Sequence, residues 1–89
     1  MKPIVFAPQA PFKIAQRRLW STWVERCVRQ PDWIENDPTD PTVERRFAVI
    51  PEHDARVLRV AVRETEREFF VISAFFDRGA RKRHAAKHL

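Results

Sequence analysis

The sequence predicts an α+β fold. One or two N-terminal helices pack on a three-stranded antiparallel β-meander, and a short basic helix or tail follows at the C-terminus. Two observations predict this class: apolar residues recur at helical spacing from Trp20 to Val28, and after Pro41 they alternate with polar ones at a period of two. The chain has 89 residues, enough for one domain, and no apolar run in it is as long as a membrane span.

The N-terminal segment, residues 1–12, is predicted to be an ordered arm or an edge strand, because "IVFA" stands between prolines. Residues 13–76 are predicted to form the core of the single domain. A helix should begin near Ser21 or Thr22 and stop at Pro31, and "KIAQRRL" before it should add an earlier turn or a separate helix. The apolar stripe of the main helix consists of Trp20, Trp23, Val24, Cys27 and Val28.

The segment "PDWIENDPTDPT" is typical of turns, since it has three Pro, three Asp and one Asn. Trp33 and Ile34 near its start are expected to anchor this loop to the core. Cys27 lies on the apolar helix stripe and is expected to be a core residue.

Three strands follow, "VERRFAVI", "RVLRVAVRE" and "REFFVISAFF", joined by the short turns "PEHDA" and "ETE". Short turns predict an antiparallel meander. The third strand is apolar on both faces and is therefore expected to be central or covered on both sides. Gly79 should end it, and "ARKRHAAKHL" can then form a terminal helix. We expect five residues to be buried together: Trp23, Val24, Leu58, Val60 and Ile72.

Positive charge is concentrated at the C-terminus. The net charge is +5, and residues 77–89 carry Arg78, Arg81, Lys82, Arg83 and Lys87 against Asp77 alone. A compact basic cluster indicates binding to nucleic acid or another polyanion. The alternative is a solvated tail that serves solubility. The single Cys predicts no disulfide framework, and the N-terminus does not have a secretory pattern, so the cytoplasm is the expected compartment.

Three segments carry a family resemblance: "VERCVRQPDWIEND", "RVLRVAV" and "FFVISAFFDRGARKRH". They resemble the RelE/ParE superfamily of small bacterial toxins, above all its BrnT-like branch and a related family known only as a domain of unknown function. BrnT-like proteins have a strand of the type I-I-S-A-R that is likewise followed by a basic segment. The resemblance spans roughly residues 13–84. Two departures stand out: the chain has no Tyr, and Phe75 replaces the basic residue after "ISA".

The resemblance implies a type II toxin that acts as a metal-independent ribonuclease (mRNA interferase-like) without a cofactor. Its partners would be RNA, with or without the ribosome, and a cognate antitoxin that covers the basic face. No membrane partner is expected, and homodimerisation is left open. The alternative function is a non-catalytic module that binds nucleic acid or another protein. A strand edge used for pairing with another chain would be one form of it.

Metal-free RNA cleavage needs a base, an acid and a cation that stabilises the phosphate. We expect Arg59 and Arg63, on the polar face of the second strand, to supply the cations. His84, beside the basic run, is the candidate base or acid, with a solvated tail histidine as the alternative. Glu44, Asp77 and His53 are weaker candidates for proton transfer.

The predicted RNA-binding surface adds further cations to the catalytic candidates: Arg45, Arg46, Arg78, Arg81, Lys82 and Arg83. The alternative is that strand arginines pair with Glu44, Glu64, Glu66 and Glu68. No metal site is predicted, because the His84/His88 pair at i, i+4 spacing has no third ligand.

Overall fold

The computed structural model describes residues 1–87 and has an α+β fold, which confirms the predicted class. Within these residues no helix combines the length and the apolar character needed to cross a membrane. The elements in chain order are β1 (Ile4–Phe6), α1 (Ala10–Gln16), α2 (Ser21–Arg29), β2 (Trp33–Asn36), β3 (Glu44–Ile50), β4 (Arg56–Glu64), β5 (Phe69–Phe76) and α3 (Ala80–Lys87).

The sheet in the described part of the chain has five strands, in the order β1-β5-β4-β3-β2. The predicted strands β3, β4 and β5 are antiparallel neighbours, but the expectation of a three-stranded antiparallel meander is wrong for the whole sheet. β1 adds a parallel edge beside β5, and β2 adds an antiparallel edge beside β3. β4 is therefore the middle strand, and the doubly apolar β5 is an interior strand between β1 and β4.

The two edge strands come from segments rich in proline. Residues 1–12 contain β1, so the edge-strand alternative is the one that the structure adopts. Trp33–Asn36, read from the sequence as part of a loop, is β2. Its four residues were hidden because prolines and aspartates on either side dominate the local pattern.

α1 and α2 lie together on one face of the sheet. α1 is a separate helix with a proline in its first turn, where the missing N–H costs no hydrogen bond. α2 begins at Ser21 and ends at Arg29, before Pro31, as expected. We call the side of the sheet that α1 and α2 cover the helix face.

The main core lies between the helix face of the sheet and the helices α1 and α2. Trp23, Val24, Leu58 and Val60 are buried there, as predicted. Ile72 is only half-buried, and its placement in this core was wrong. A β-bulge explains the error: Ala61 pairs with Ser73 and Val62 with Val71, so the residue between them is left without a partner.

The opposite face of the sheet is only partly covered. α3 packs over a small apolar cluster in which Phe47, Val57 and Ala80 are buried and Trp33 and Val49 are partly buried. The rest of this face carries arginines of β3 and β4.

Candidate nucleic-acid interface

The candidate site is the part of the sheet that α3 leaves uncovered. Register places Phe47 opposite Arg59 and Arg59 opposite Phe75, in one row across three strands. Arg45 lies in the next row, opposite Ala61. Arg45 and Arg59 are therefore diagonal neighbours on one face. We use the name arginine face for Arg45, Arg59, Arg63, Phe75 and Arg83.

Asp77, the residue after β5, organises the centre of the arginine face. Its Oδ2 accepts hydrogen bonds from Arg59 Nη1 at 3.1 Å and from Arg83 Nη2 at 2.6 Å. Its Oδ1 accepts from the Gly79 N–H at 3.0 Å. Burial alone would raise the pKa of Asp77. The hydrogen bond and charge of Arg83, the Gly79 N–H and the charge of Arg59 outweigh burial, and the pKa falls below its usual value.

Gly79, the only glycine of the chain, is explained by the same cluster. It does not have a positive φ. A Cβ at this position would lie 2.5 Å from Arg83 Nη1, so a side chain here would force Arg83 away from its present place. The glycine leaves room for the ion pair between Arg83 and Asp77.

Arg59 is fixed against an aromatic ring. Its guanidinium carbon lies 4.3 Å from the centre of the Phe75 ring, in cation–π geometry. Burial, with repulsion from Arg45, lowers the pKa of Arg59 despite the attraction of Asp77. Arginine nevertheless stays charged. The Arg59 guanidinium is therefore a cation in a fixed position beside the half-buried Phe75 ring.

The other two strand arginines are paired with the Asp/Pro loop. Arg45 lies 3.4 Å from Asp37, and Arg63 lies 3.5 Å from Asp40 and donates to Thr42 Oγ1. Both arginines thus pair with aspartates of the loop rather than with glutamates of the strands. The hydrogen bonds of Thr39 to Asp37 and of Thr42 to Asp40 lower the pKa of each carboxyl group, so both remain charged.

Arg46 was predicted to be part of the RNA-binding surface, but its side chain does not lie there. Its side chain lies on the helix face, only 8% exposed. There it donates to the Val28 carbonyl, to Glu44 and to Glu64. The physical reason is the two-residue period of a strand, which turns neighbouring side chains to opposite faces.

The basic residues of the C-terminal segment do not form one surface. Arg83 joins the arginine face through Asp77. Arg81 instead donates to the Ala55 carbonyl, and with Arg78 it lines a cavity of about 320 Å³ beside the β3–β4 turn. Lys82 is exposed on α3. Of the four C-terminal cations that were predicted to share one surface with the strand arginines, only Arg83 therefore does so; Arg78, Arg81 and Lys82 do not.

His84 lies beside the arginine face. Its ring stacks on Trp33 with 4.1 Å between ring centres, and Trp33 stacks on Phe47 at 4.9 Å. Because Phe47 lies between Trp33 and Arg59 in the row, the Trp33 and Arg59 backbones are two strand spacings apart, about 10 Å. The structure thus places His84 at the edge of the site, and its role in proton transfer stays a prediction.

Metal ligands do not converge in the described part of the chain. Among residues 1–87, no three His, Cys, Asp or Glu side chains are grouped as a metal ion would require. His88, the second member of the histidine pair, lies outside the described residues. Cys27 is in the core, where burial raises the pKa of its thiol to about 12.

Two groups of residues near the site were missed or underrated. Asp37 and Asp40, now partners of arginines, each begin an Asp-Pro-Thr triplet, and in each the Asp side chain accepts from the Thr N–H and hydroxyl. That repeated triplet was a readable signal for ordered carboxylates. The second is Arg17, whose guanidinium carbon lies 5.9 Å from the centre of the Phe75 ring. No sequence pattern indicated this contact, because it depends on the path of the chain between α1 and α2.

Residues 10–76 match the family model "Domain of unknown function (DUF4258)". The chain belongs to this family. The match includes the strand arginines of this DUF4258 protein and ends at Phe76, before Asp77 and α3. No curated protein and no solved structure matches the chain.

Proposed function

We propose that this protein binds single-stranded RNA on its arginine face and cleaves it without a metal ion, as the toxin of a type II toxin–antitoxin pair. The observation that carries the proposal is the position of Arg59, which Asp77 fixes over the half-buried Phe75 ring, with Arg45 and Arg83 nearby. Cations beside an aromatic ring suit a nucleotide, since phosphate meets the guanidinium and the base can stack.

The ion pairs of the face support phosphate binding at its rim. The contacts of Arg45 with Asp37 and of Arg63 with Asp40 are long, at 3.4 and 3.5 Å; the second pair is exposed and the first is partly exposed. Such pairs contribute little free energy, so a phosphate can replace the aspartate. Asp77 is only 9% exposed, and it is the carboxylate that remains in place to orient Arg59.

In the proposed reaction the RNA 2′-oxygen attacks phosphorus, the bond from phosphorus to the 5′-oxygen breaks, and a cyclic phosphate forms. Arg59 and Arg63 stabilise the negative charge of the pentacoordinate phosphate. The 2′-hydroxyl loses a proton and the leaving 5′-oxygen gains one; we assign one of these two transfers to His84 and the other to solvent water, because an arginine does not deprotonate at neutral pH.

A second candidate function is RNA or protein binding without cleavage. One observation favours it: the His84 ring packs on Trp33 at the edge of the site, while Arg59 and Arg83 surround Asp77 at its centre. In both cases we propose that an acidic segment of a cognate antitoxin covers the arginine face in the cytoplasm and competes with RNA.

The proposal is tested by induced expression in a bacterium of the wild type, Arg59→Ala and His84→Ala. Arg67→Ala is the matched control, because Arg67 is exposed in the turn between β4 and β5. We expect growth arrest and RNA cleavage from the wild type and the control. Arg59→Ala should lower the cleavage rate by about 10²–10³. His84→Ala should lower it by about 10²–10⁴ and leave RNA affinity unchanged.

Wild-type protein that binds RNA but cleaves none would establish the binding-only alternative. Cleavage that survives in His84→Ala would remove that residue from the mechanism. Equal RNA affinities of Arg59→Ala and the wild type would contradict both candidate functions, cleavage and binding without cleavage, because both place RNA on the arginine face.

A further inference from the structure

A second basic surface lies at the edge of β5, between the linker from α1 to α2 and the turn from β3 to β4. It is a groove of about 440 Å³, within the range of sites that hold small ligands. We call it the aromatic groove. Its lining residues are Arg17, Arg18, Leu19, His53, Arg56, Phe75 and Phe76.

The arginines of the aromatic groove differ from those of the arginine face in their partners. Arg17 donates to the Ala74 carbonyl, and Arg56 Nη1 lies 3.4 Å from His53 Nε2, so neither of these partners is a carboxylate. Within residues 1–87 no ion pair involves Arg17, Arg18 or Arg56. Three cations therefore line one groove that has no carboxylate in its wall.

An aromatic ladder forms the floor of the groove and continues beyond it. His53 stacks on Phe76 with 4.8 Å between ring centres, and it packs on Trp23 at 5.1 Å. Trp23 stacks in turn on Trp20, which is 65% exposed. The Arg56 guanidinium lies 4.8 Å from the Phe76 ring. The ladder therefore runs from Phe76, which carries the Arg56 guanidinium, through His53 and the buried Trp23 to the exposed Trp20 ring.

The backbone of the linker is held in a costly conformation at this place. Arg18 has a φ of 57°, a left-handed conformation that residues other than glycine seldom adopt. Hydrogen bonds from the Arg18 N–H to the Ala15 carbonyl and from the Leu19 N–H to the Ile14 carbonyl fix this turn. These two bonds form the Schellman motif that ends α1, with Arg18 at its left-handed position, and they fix the place of Arg18 at the rim of the groove.

We propose that the aromatic groove binds one nucleotide of a single-stranded RNA, its phosphate held by Arg17, Arg18 and Arg56 and its base stacked on the aromatic ladder. An acidic peptide would satisfy the arginines but would leave the ring faces unused, whereas a nucleotide uses both. The proposal rests on the proposed function only in naming RNA as the ligand. It needs no cleavage, and it concerns residues outside the arginine face except for Phe75, which borders both surfaces.

The test measures binding of a fluorescein-labelled oligouridylate by anisotropy over a range of salt concentrations. Arg18→Gly removes the guanidinium while the glycine accepts the positive φ, so the fold is retained. His53→Ala removes a ring of the ladder. Lys13→Ala is the control, because Lys13 is an exposed cation of α1. Circular dichroism verifies that each variant is folded.

We expect Arg18→Gly to reduce the log–log salt slope by about 0.7, the value for one phosphate contact on a single strand. His53→Ala should weaken binding by about tenfold through lost stacking. Uridine monophosphate should compete better than inorganic phosphate and should quench Trp fluorescence in the wild type, because Trp23 packs on His53.

Unchanged affinity and slope in Arg18→Gly would overturn the proposal. Equal competition by inorganic phosphate and uridine monophosphate would overturn its nucleotide part, because it would mean a simple anion site. A negative result for the aromatic groove can be told apart from a negative result for the proposed function. The first is measured with Arg18→Gly, and the second with Arg59→Ala, in which Arg18 is intact.

Discussion

Arg45 and Arg46 are adjacent in β3 and lie on opposite faces of the sheet. Arg46 is buried on the helix face, where Val28, Glu44 and Glu64 accept all its hydrogen bonds. Arg45 is half-exposed on the arginine face, in a long ion pair with Asp37. The same residue type is therefore structural at one position and available to a ligand at the next, and strand periodicity alone makes the difference.

The helix face and the arginine face as a whole show the same difference between buried, structural side chains and accessible ones. The helix face buries Val24, Leu58 and Val60 completely. The arginine face keeps polar groups, and its one deeply placed carboxylate, Asp77, orients cations rather than stabilising a core. We therefore expect substitutions on the helix face to affect stability and substitutions on the arginine face to affect binding.

The largest expected effect is on the helix face. Leu58→Ala should lower the free energy of unfolding by about 2–5 kcal/mol, because Leu58 is fully buried and its removal leaves a cavity. Urea denaturation measures the change. Ile34→Ala, at a 45% exposed position of β2, should change stability by less than about 1 kcal/mol. Equal effects of the two substitutions would contradict the assigned core.

Arg46→Met should destabilise the protein by about 1–3 kcal/mol. The substitution removes the donor from the Val28 carbonyl and from two glutamates while it keeps an apolar side chain of similar length. Arg45→Met is the matched control and should stay within about 0.5 kcal/mol of the wild type. Denaturation of the two variants at pH 7 measures this, and a greater loss from Arg45→Met would reverse the comparison of the faces.

Asp77 makes the arginine face sensitive to acid. Its folded-state pKa lies below the unfolded value of about 3.9, so its contribution to stability is present above that pH. The contribution is lost as the pH falls through the folded-state pKa. Asp77→Asn should therefore lose less stability than the wild type between pH 7 and pH 3. Glu66→Gln, which changes an exposed residue, is the control, and parallel losses in all three proteins would contradict the assignment.

The smallest expected effect concerns Cys27. Burial raises the pKa of its thiol to about 12, and its Sγ donates to the Arg46 carbonyl, so little reactive thiolate forms. Iodoacetamide at pH 8 should leave the folded protein unmodified and alkylate it quickly in urea, as mass spectrometry can show. Rapid alkylation without urea would place Cys27 outside the core.

The sequence was informative wherever one period dominated a segment. Period two placed β4 at its observed bounds, Arg56–Glu64, and the helical stripe placed α2. The two edge strands escaped because three or four residues between prolines show no clear period. Ile72 was misplaced because a bulge shifts the register by one residue, and nothing in the local pattern indicates it.

The positions of the site's strand residues could be predicted from the sequence, whereas those of its C-terminal residues could not. Alternation assigned Arg59 and Arg63 to one face, and the same alternation separates Arg45 from Arg46 once the register is known. The directions taken by Arg81 and Arg83 depend on how α3 packs beyond Gly79. That packing is tertiary, so the basic run in the sequence could not reveal which cations would meet.

The central claim is tested most directly by the RNA affinities of Arg45→Met and Arg46→Met, measured by anisotropy with one labelled single-stranded RNA over a range of salt concentrations. We predict that Arg45→Met weakens binding and reduces the log–log salt slope by about 0.7, while Arg46→Met matches the wild type in both. Weaker binding in Arg46→Met, or wild-type binding in Arg45→Met, would show that RNA does not use the arginine face.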